Sequence, residues 1–257
     1  MPDYMMEPAY LRRNINQGTY DIESVKAVFD DSFIAHVSYV DNGLPACMPM
    51  IALVSEEDGG SGECVIHLHG HPRTRIVELV RESSREDRQP SDPVRVCITA
   101  TKVDGLVLSS APNGHSLNYR SATIHGTCSA VLDKAVKRRV MRDVTNHIVA
   151  NRWEEVNPVA SFQVSLVYVV RVRIDSMSVK SRTGPPGIQP RNEEADGPDV
   201  EPKAWAGVVP VWEQLGSPVD SRLTPGAEVS DNLAGYIRDR NARMKEYAER
   251  VSQPDSG

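Results

Sequence analysis

Three short stretches concentrate side chains able to hold an anion. His69-Gly70-His71-Pro72-Arg73-Thr74-Arg75 sits where a helix is expected to open at Pro72. Free backbone N–H groups and the positive dipole end favour an anion there, and Thr74 and Arg75 add a hydroxyl and a guanidinium. Gly114-His115-Ser116-Leu117-Asn118-Tyr119-Arg120-Ser121 opens a strand with a dense run of hydrogen-bonding groups, each of which costs about 1–3 kcal/mol if buried without a partner. Lys180 with Ser181-Arg182-Thr183-Gly184-Pro185-Pro186 closes the longest expected strand. A phosphorylated ligand would give all three stretches partners. An ordinary capped surface helix, its arginines in water, is the plainer reading of the first.

His67, His69 and His71 alternate, so on one strand they would face one way and imitate a metal site. No Asp or Glu lies nearby, and the strand should end near Gly70, which breaks the alternation at His71. A structural role, a ligand-lining role and a metal all stay open, and no metal site is assigned. Cys47, Cys64, Cys97 and Cys128 are 17, 33 and 31 residues apart, so no CxxC pair exists and buried free thiols are expected. Phosphate-loop, dinucleotide-fold, nucleophile-elbow and HExxH signatures are absent.

The elements that must position these groups are mostly strands. A helix is expected over Ile22–Phe29, strands over Phe33–Val40, Pro45–Val54 and Cys64–His69, and a tight turn at Asp41-Asn42-Gly43. Further strands are expected over Val94–Val103, Gly105–Ser109, Tyr119–Leu132 and Val164–Val179. Between the last two, Asp133 should cap a helix with Val136, Val140, Val144 and Ile148 on one face. About seven strands with few helices argue for a mainly β fold, a closed or nearly closed antiparallel barrel with flanking helices. Arg182 to Asn232 holds eight prolines and six glycines in 51 residues and reads as an extended arm, followed by a helix over Leu233–Val251. The expected organisation is a barrel domain, 1–181, and a C-terminal arm and helix, 182–257.

The 257 residues carry 29 Lys and Arg against 35 Asp and Glu, a net charge of −6. That removes the basic field that non-specific nucleic-acid or membrane-surface binding needs. No apolar run approaches the roughly 18 residues of a membrane span. With no leader-like start, a cytoplasmic protein is expected.

The chain resembles the flavin-nucleotide-binding branch of the pyridoxamine 5′-phosphate oxidase-like superfamily, the FMN-binding split barrels of nitroimidazole-resistance type. The resemblance is carried in order by Gly43-Leu44-Pro45 with Pro49-Met50, His69-Gly70 with Thr74-Arg75, and Asp104-Gly105-Leu106-Val107-Leu108. It continues through His115-Ser116-Leu117-Asn118-Tyr119-Arg120-Ser121, Ser178 to Pro186, and Trp205-Ala206-Gly207-Val208-Val209-Pro210. It implies a six-stranded split barrel, a homodimer, and FMN at the subunit interface. His69, Thr74, Arg75, Asn118, Tyr119, Arg120, Ser121, Lys180, Arg182 and Trp205 are implied as cofactor-binding residues, and His115 as the residue meeting substrate. The implied activity is an FMN-dependent oxidoreductase moving a hydride or electrons between NAD(P)H and a small organic substrate. The alternative is a non-catalytic barrel holding FMN, haem or pyridoxal phosphate. Replacing Arg120 is expected to weaken FMN binding with little loss of fold. Ser83–Pro93 and Gly187–Pro202 look like insertions.

Overall fold

Runs rich in Val, Ile and Thr become strands, and valines at helical spacing become the buried stripes of helices. The computed structural model describes residues 9–57, 62–84, 93–187 and 204–254, so most of the two insertions lies outside the described residues. The chain divides into two compact units, Met1–Thr101 with Ser121–Lys180, and Lys102–Arg120 with Ser181–Gly257. The described residues form nine strands and six α-helices, against the seven strands read from the sequence and the six the resemblance implies.

The first unit opens with β1 (Gly18–Thr19) and α1 (Ile22–Asp31), whose cap Asp21 accepts a hydrogen bond from Ser24 N at 2.7 Å. Next come β2 (Ala35–Asp41) and β3 (Leu44–Met50), joined through Asn42 and Gly43 at φ 50° and 79°. Two successive left-handed residues are what a two-residue hairpin needs. The single strand expected over Pro45–Val54 is two strands. The chain breaks at Ile51, after which β4 (Ala52–Glu56) leaves β2 and pairs with β5 (Cys64–Gly70). α2 (Arg75–Ser83) starts later than Pro72, because residues 72–74 form a turn in which Thr74 N donates to His71 O at 2.9 Å.

β6 (Arg95–Leu108) is one continuous strand where two were expected, and β7 (Ser116–Ala130) follows it. α3 (Lys134–Ile148) is capped as expected, Val136 N donating to Asp133 at 2.9 Å. α4 (Arg152–Glu155) and α5 (Ser161–Leu166) precede β8 (Tyr168–Arg182). Val164 and Leu166, read as strand, lie in α5 instead. A helical turn is locally favoured there, since Ala160 N donates to the Gln163 side chain at 2.8 Å.

Strand order in the sheet is β3-β2-β6-β7-β8-β5-β4, with β1 on β8. Only Ile51 separates β3 from β4, so one residue links the two ends of the path and the sheet must curl on itself. Inside lie Val37, Ile66, Leu68, Ile98, Ile124 and Val172, together with Ile76, Val77 and Val80 of α2. Each such side chain contributes about 1.5–3 kcal/mol. A second cluster, Leu53 and Val169 under Val140 and Val144 of α3, covers an outer face. Strand alternation then turns His67 and His69 away from their barrel-facing neighbours Ile66 and Leu68.

The second unit holds the far end of the β6–β7 hairpin, β9 (Gly207–Pro210) and α6 (Asp231–Val251). β9 pairs with β6, Leu106 opposite Val209. Gly105 makes that approach possible, because a Cβ there would stand 2.8 Å from a Val208 methyl. α6 is capped by Ser230 and buries Arg240, Met244 and Ala248. No helix among the described residues is long and apolar enough to cross a membrane.

Gly126 on β7 lies against the Arg173 carbonyl and the Val172 side chain of β8, so Gly126→Ala should lower stability by about 1–3 kcal/mol through overpacking. Urea unfolding tests this, and an unchanged midpoint would contradict the close approach.

Candidate cofactor site

At the end of β5 the chain turns tightly into α2. Gly70 allows this, since a Cβ there would meet the Met50 terminal methyl, a Val77 methyl and Thr74 Oγ1 at 3.3, 3.4 and 3.6 Å. Thr74 is the N-cap of α2, yet its side chain makes no capping hydrogen bond. Its hydroxyl and the first amides of the helix can therefore face an anion. Arg75 is differently placed. Its Nε and Nη2 donate to the two oxygens of Asp41, both at 2.8 Å, and Glu78 lies 3.5 Å away. The hydrogen bonds from Arg75 hold the Asp41 carboxyl below its usual range, and Asp41 in turn keeps the guanidinium more firmly protonated. A phosphate at this turn would find Thr74 open and Arg75 already neutralised.

Ser121 lies elsewhere in the first unit, its Oγ 3.1 Å from Thr101 Oγ1, and Lys180 pairs with Gly18 near the end of β8. Tyr39, two residues before Asp41, pairs with Val96 of β6. Thr101 stands five residues beyond Val96, about 17 Å along the strand. The first-unit candidates thus form two groups, one around Thr74 and one around Ser121.

The three alternating histidines do not converge. His67 is buried, with Nδ1 2.8 Å from Ser55 Oγ, and burial followed by Arg171 pushes its pKa down. His69 is half-buried and pushed down by burial alone. His71 lies past the strand end, its Nδ1 accepting from Arg73 N at 3.2 Å. Among the described residues no group of three His, Cys, Asp or Glu could hold a metal.

In the second unit, alternation along β7 sends Asn118 and Arg120 inward and leaves Tyr119 half-buried on the other face. Asn118 Nδ2 donates to Gly184 O at 3.1 Å and Val251 O at 3.3 Å, while its Oδ1 accepts from Arg182 Nη1. Arg182 also donates to Gly184 O and Pro185 O. Arg120 makes a bidentate pair with Asp104 at 3.0 and 2.9 Å, and its guanidinium lies 3.9 Å from the Tyr247 ring centre. Any ligand contact by Asn118, Arg120 or Arg182 competes with these bonds. The expectation that Arg120 can be replaced with little loss of fold is therefore revised, since both members of its ion pair are buried.

His115 is exposed. Its Nδ1–H donates to Ala111 O and Pro112 O at 3.2 and 3.3 Å, since a carbonyl oxygen only accepts. The Trp205 indole packs over Gly207, yet the residue is 65% exposed.

Sequence reasoning missed the carboxylates that occupy the arginines. Asp41 reads as a turn residue and Asp104 as the break between two strands, and only the fold brings them to Arg75 and Arg120. Clefts of about 460 Å³ beside Ile22, Cys64 and Met177, and of about 410 Å³ beside Leu215, Val229 and Ile237, contain none of the candidate residues.

Residues 21–181 match the family model described as pyridoxamine 5′-phosphate oxidase, and the chain belongs to that family. Among solved structures it is similar to the flavocytochrome Anf3 from Azotobacter vinelandii, with 26% identity, 88% of this chain and 94% of that chain covered, and a TM-score of 0.69. It is also similar in fold to the FAD and heme binding protein from Mycobacterium smegmatis, with 21% identity, coverage of 86% and 97%, and a TM-score of 0.68. No curated protein matches the sequence.

Two outcomes follow. Arg120→Ala leaves Asp104 buried without its partner and should destabilise the protein by about 3–5 kcal/mol, read as a lower urea midpoint. An unchanged midpoint would return Arg120 to a ligand-binding role. His67 and His69 have folded pKa values below the ordinary 6.5, so the unfolded chain binds more protons just below that value. Their contribution is complete above about pH 6.5 and is lost as pH falls toward the folded values. His69→Gln should flatten the acid side of a stability–pH curve, and a curve unchanged in shape would contradict this.

Proposed function

We propose that this chain is a flavin-dependent oxidoreductase that uses FMN to move a hydride or electrons between a reduced nicotinamide and a small organic substrate. The observation that carries the reading is the family match over residues 21–181, joined by similarity to a flavocytochrome along 88% of the chain. The residues fit a flavin nucleotide in one checkable respect. Thr74 presents an uncommitted hydroxyl at the N-terminus of a nine-residue helix, where a phosphate belongs. One such terminus suits the single phosphate of FMN.

When bound, the flavin supplies the hydride and electron chemistry, and the protein supplies position and electrostatics. Thr74 and the first amides of α2 hold the phosphate, with His69 beside them on β5. Ser121 and Lys180 form the other contact group of the first unit. A homodimer resolves their separation from Thr74, one copy supplying each group to a shared flavin at the interface. His115, exposed and held through Nδ1, meets substrate through Nε2. Asn118, Arg120 and Arg182 act as positioning residues that hold the strand carrying Tyr119. Trp205, exposed in one chain, is covered by the second copy.

A second reading, a haem-binding barrel, is favoured by His69. Its imidazole is half-buried, is kept neutral by burial, and has no hydrogen bond among the described residues. Neutral imidazole is a haem ligand.

The absorption spectrum of the protein as purified, followed by denaturation and mass identification of what is released, tests both. Flavin bands with release of FMN are expected; a colourless protein that also takes up neither added FMN nor FAD overturns the first reading. A Soret band that disappears in His69→Ala establishes the second. Thr74→Val should weaken FMN binding about fivefold, the loss of one hydrogen bond of about 1 kcal/mol, by fluorescence titration.

A further inference from the structure

Most buried or half-buried cations among the described residues face a carboxylate. Arg75 meets Asp41, Arg120 meets Asp104, Arg171 meets Glu57 and Lys102 meets Glu213. Among the buried cations of the described residues Lys137 breaks the pattern, and the exposed Arg81 stands beside the same ring. Lys137, the fourth residue of α3, is only 9% exposed, and its Nζ lies 5.4 Å from the Tyr168 ring centre. Arg81, on α2, places its guanidinium 4.8 Å from the centre of the same ring. Among the described residues neither side chain has a hydrogen bond or a carboxylate at ion-pair distance.

A charge taken from water is strongly unfavourable unless it meets a counter-charge. A ring quadrupole supplies only part of that compensation, and here one ring serves two cations. The ring is also fixed in place. Tyr168 begins β8 and pairs with Gly70 of β5, between the helix bearing Arg81 and the helix bearing Lys137. Lys134 and Arg138 on α3 add field of the same sign.

We propose that Lys137 and Arg81 form a binding site for an anionic oxygen group, a phosphate or carboxylate of a small molecule, with Tyr168 as its aromatic wall. The site is distinct from the proposed flavin phosphate position. Arg81 lies seven residues along α2 from Thr74, about 10 Å of helix, farther than one phosphate reaches. The ligand completes the ion pairing that Lys137 lacks.

The test is isothermal titration of the full-length protein with inorganic phosphate and, separately, with succinate, at constant ionic strength. The variants are Lys137→Met, which keeps the apolar stem, and Arg81→Gln, which changes an exposed side chain. The expected result is saturable binding of at least one anion, weakened tenfold or more in both variants. Phosphate alone identifies a phosphate ester as the ligand, succinate alone a carboxylate, and binding of both a site that reads only the anionic oxygens. No binding by the wild type, or equal binding by wild type and Arg81→Gln, overturns the proposal. FMN titration of Arg81→Gln separates the two sites. Unchanged FMN affinity supports a distinct site, whereas parallel loss of FMN and phosphate binding overturns that distinction. Should Lys137→Met fail to fold, Arg81→Gln carries the test alone.

Discussion

The first unit depends on one constraint, the change of partner at Ile51. β3 pairs with β2 and β4 pairs with β5, so two consecutive strands stand at opposite ends of the strand order. Strand pairing energy can be satisfied at both ends only if the sheet curls. Curling then divides every strand into an inward row, filled by Val37, Ile66, Ile98 and Ile124, and an outward row. The outward row is where His67, His69 and Ser121 stand, and α3 covers part of it. A polar residue on these strands therefore has two environments available, under a helix or toward whatever approaches the outer face.

In the second unit, charge does what apolar packing does in the first. Lys102, Asp104 and Arg120 are all buried, an unusual density for a hairpin end. Asp104 receives both ends of the Arg120 fork, and its backbone oxygen accepts from Val211 N at 3.0 Å. Such a pair adds little net stability compared with an apolar core of the same shape, but breaking it is severe. Its contribution is to hold β7 at a set depth, which in turn sets the orientation of Tyr119 on the opposite face.

The family and the strand pattern were legible because they rest on local signals. Asp41-Asn42-Gly43 specifies its turn, Asp133 specifies its cap, and Val140 and Val144 lie buried where their spacing put them. The misread elements had competing local chemistry. Val164 and Leu166 alternate like a strand, yet Gln163 captures Ala160 N and begins a helix. Ile51 carries no mark of a break, because the cause is a change of neighbour distant in sequence. Site assignment suffered in the same way. The type of Arg75 and Arg120 shows that each can hold an anion, but whether an internal carboxylate already holds it is decided by register. The spacing of Lys137 along α3 likewise cannot show that its side chain is buried beside Tyr168.

Asn118 connects three far-separated points of the chain, itself, the turn at Gly184 and the end of α6 at Val251, the last being 133 residues away. This amide cannot reach its final state while the protein is being made until α6 has been synthesised. At about 5–20 residues per second, Asn118 waits on the order of ten seconds after its own addition. The first unit has all its strands by residue 180 and needs no such delay. Synthesis therefore makes the strands of the curled sheet available before the second unit can be completed at the end of α6.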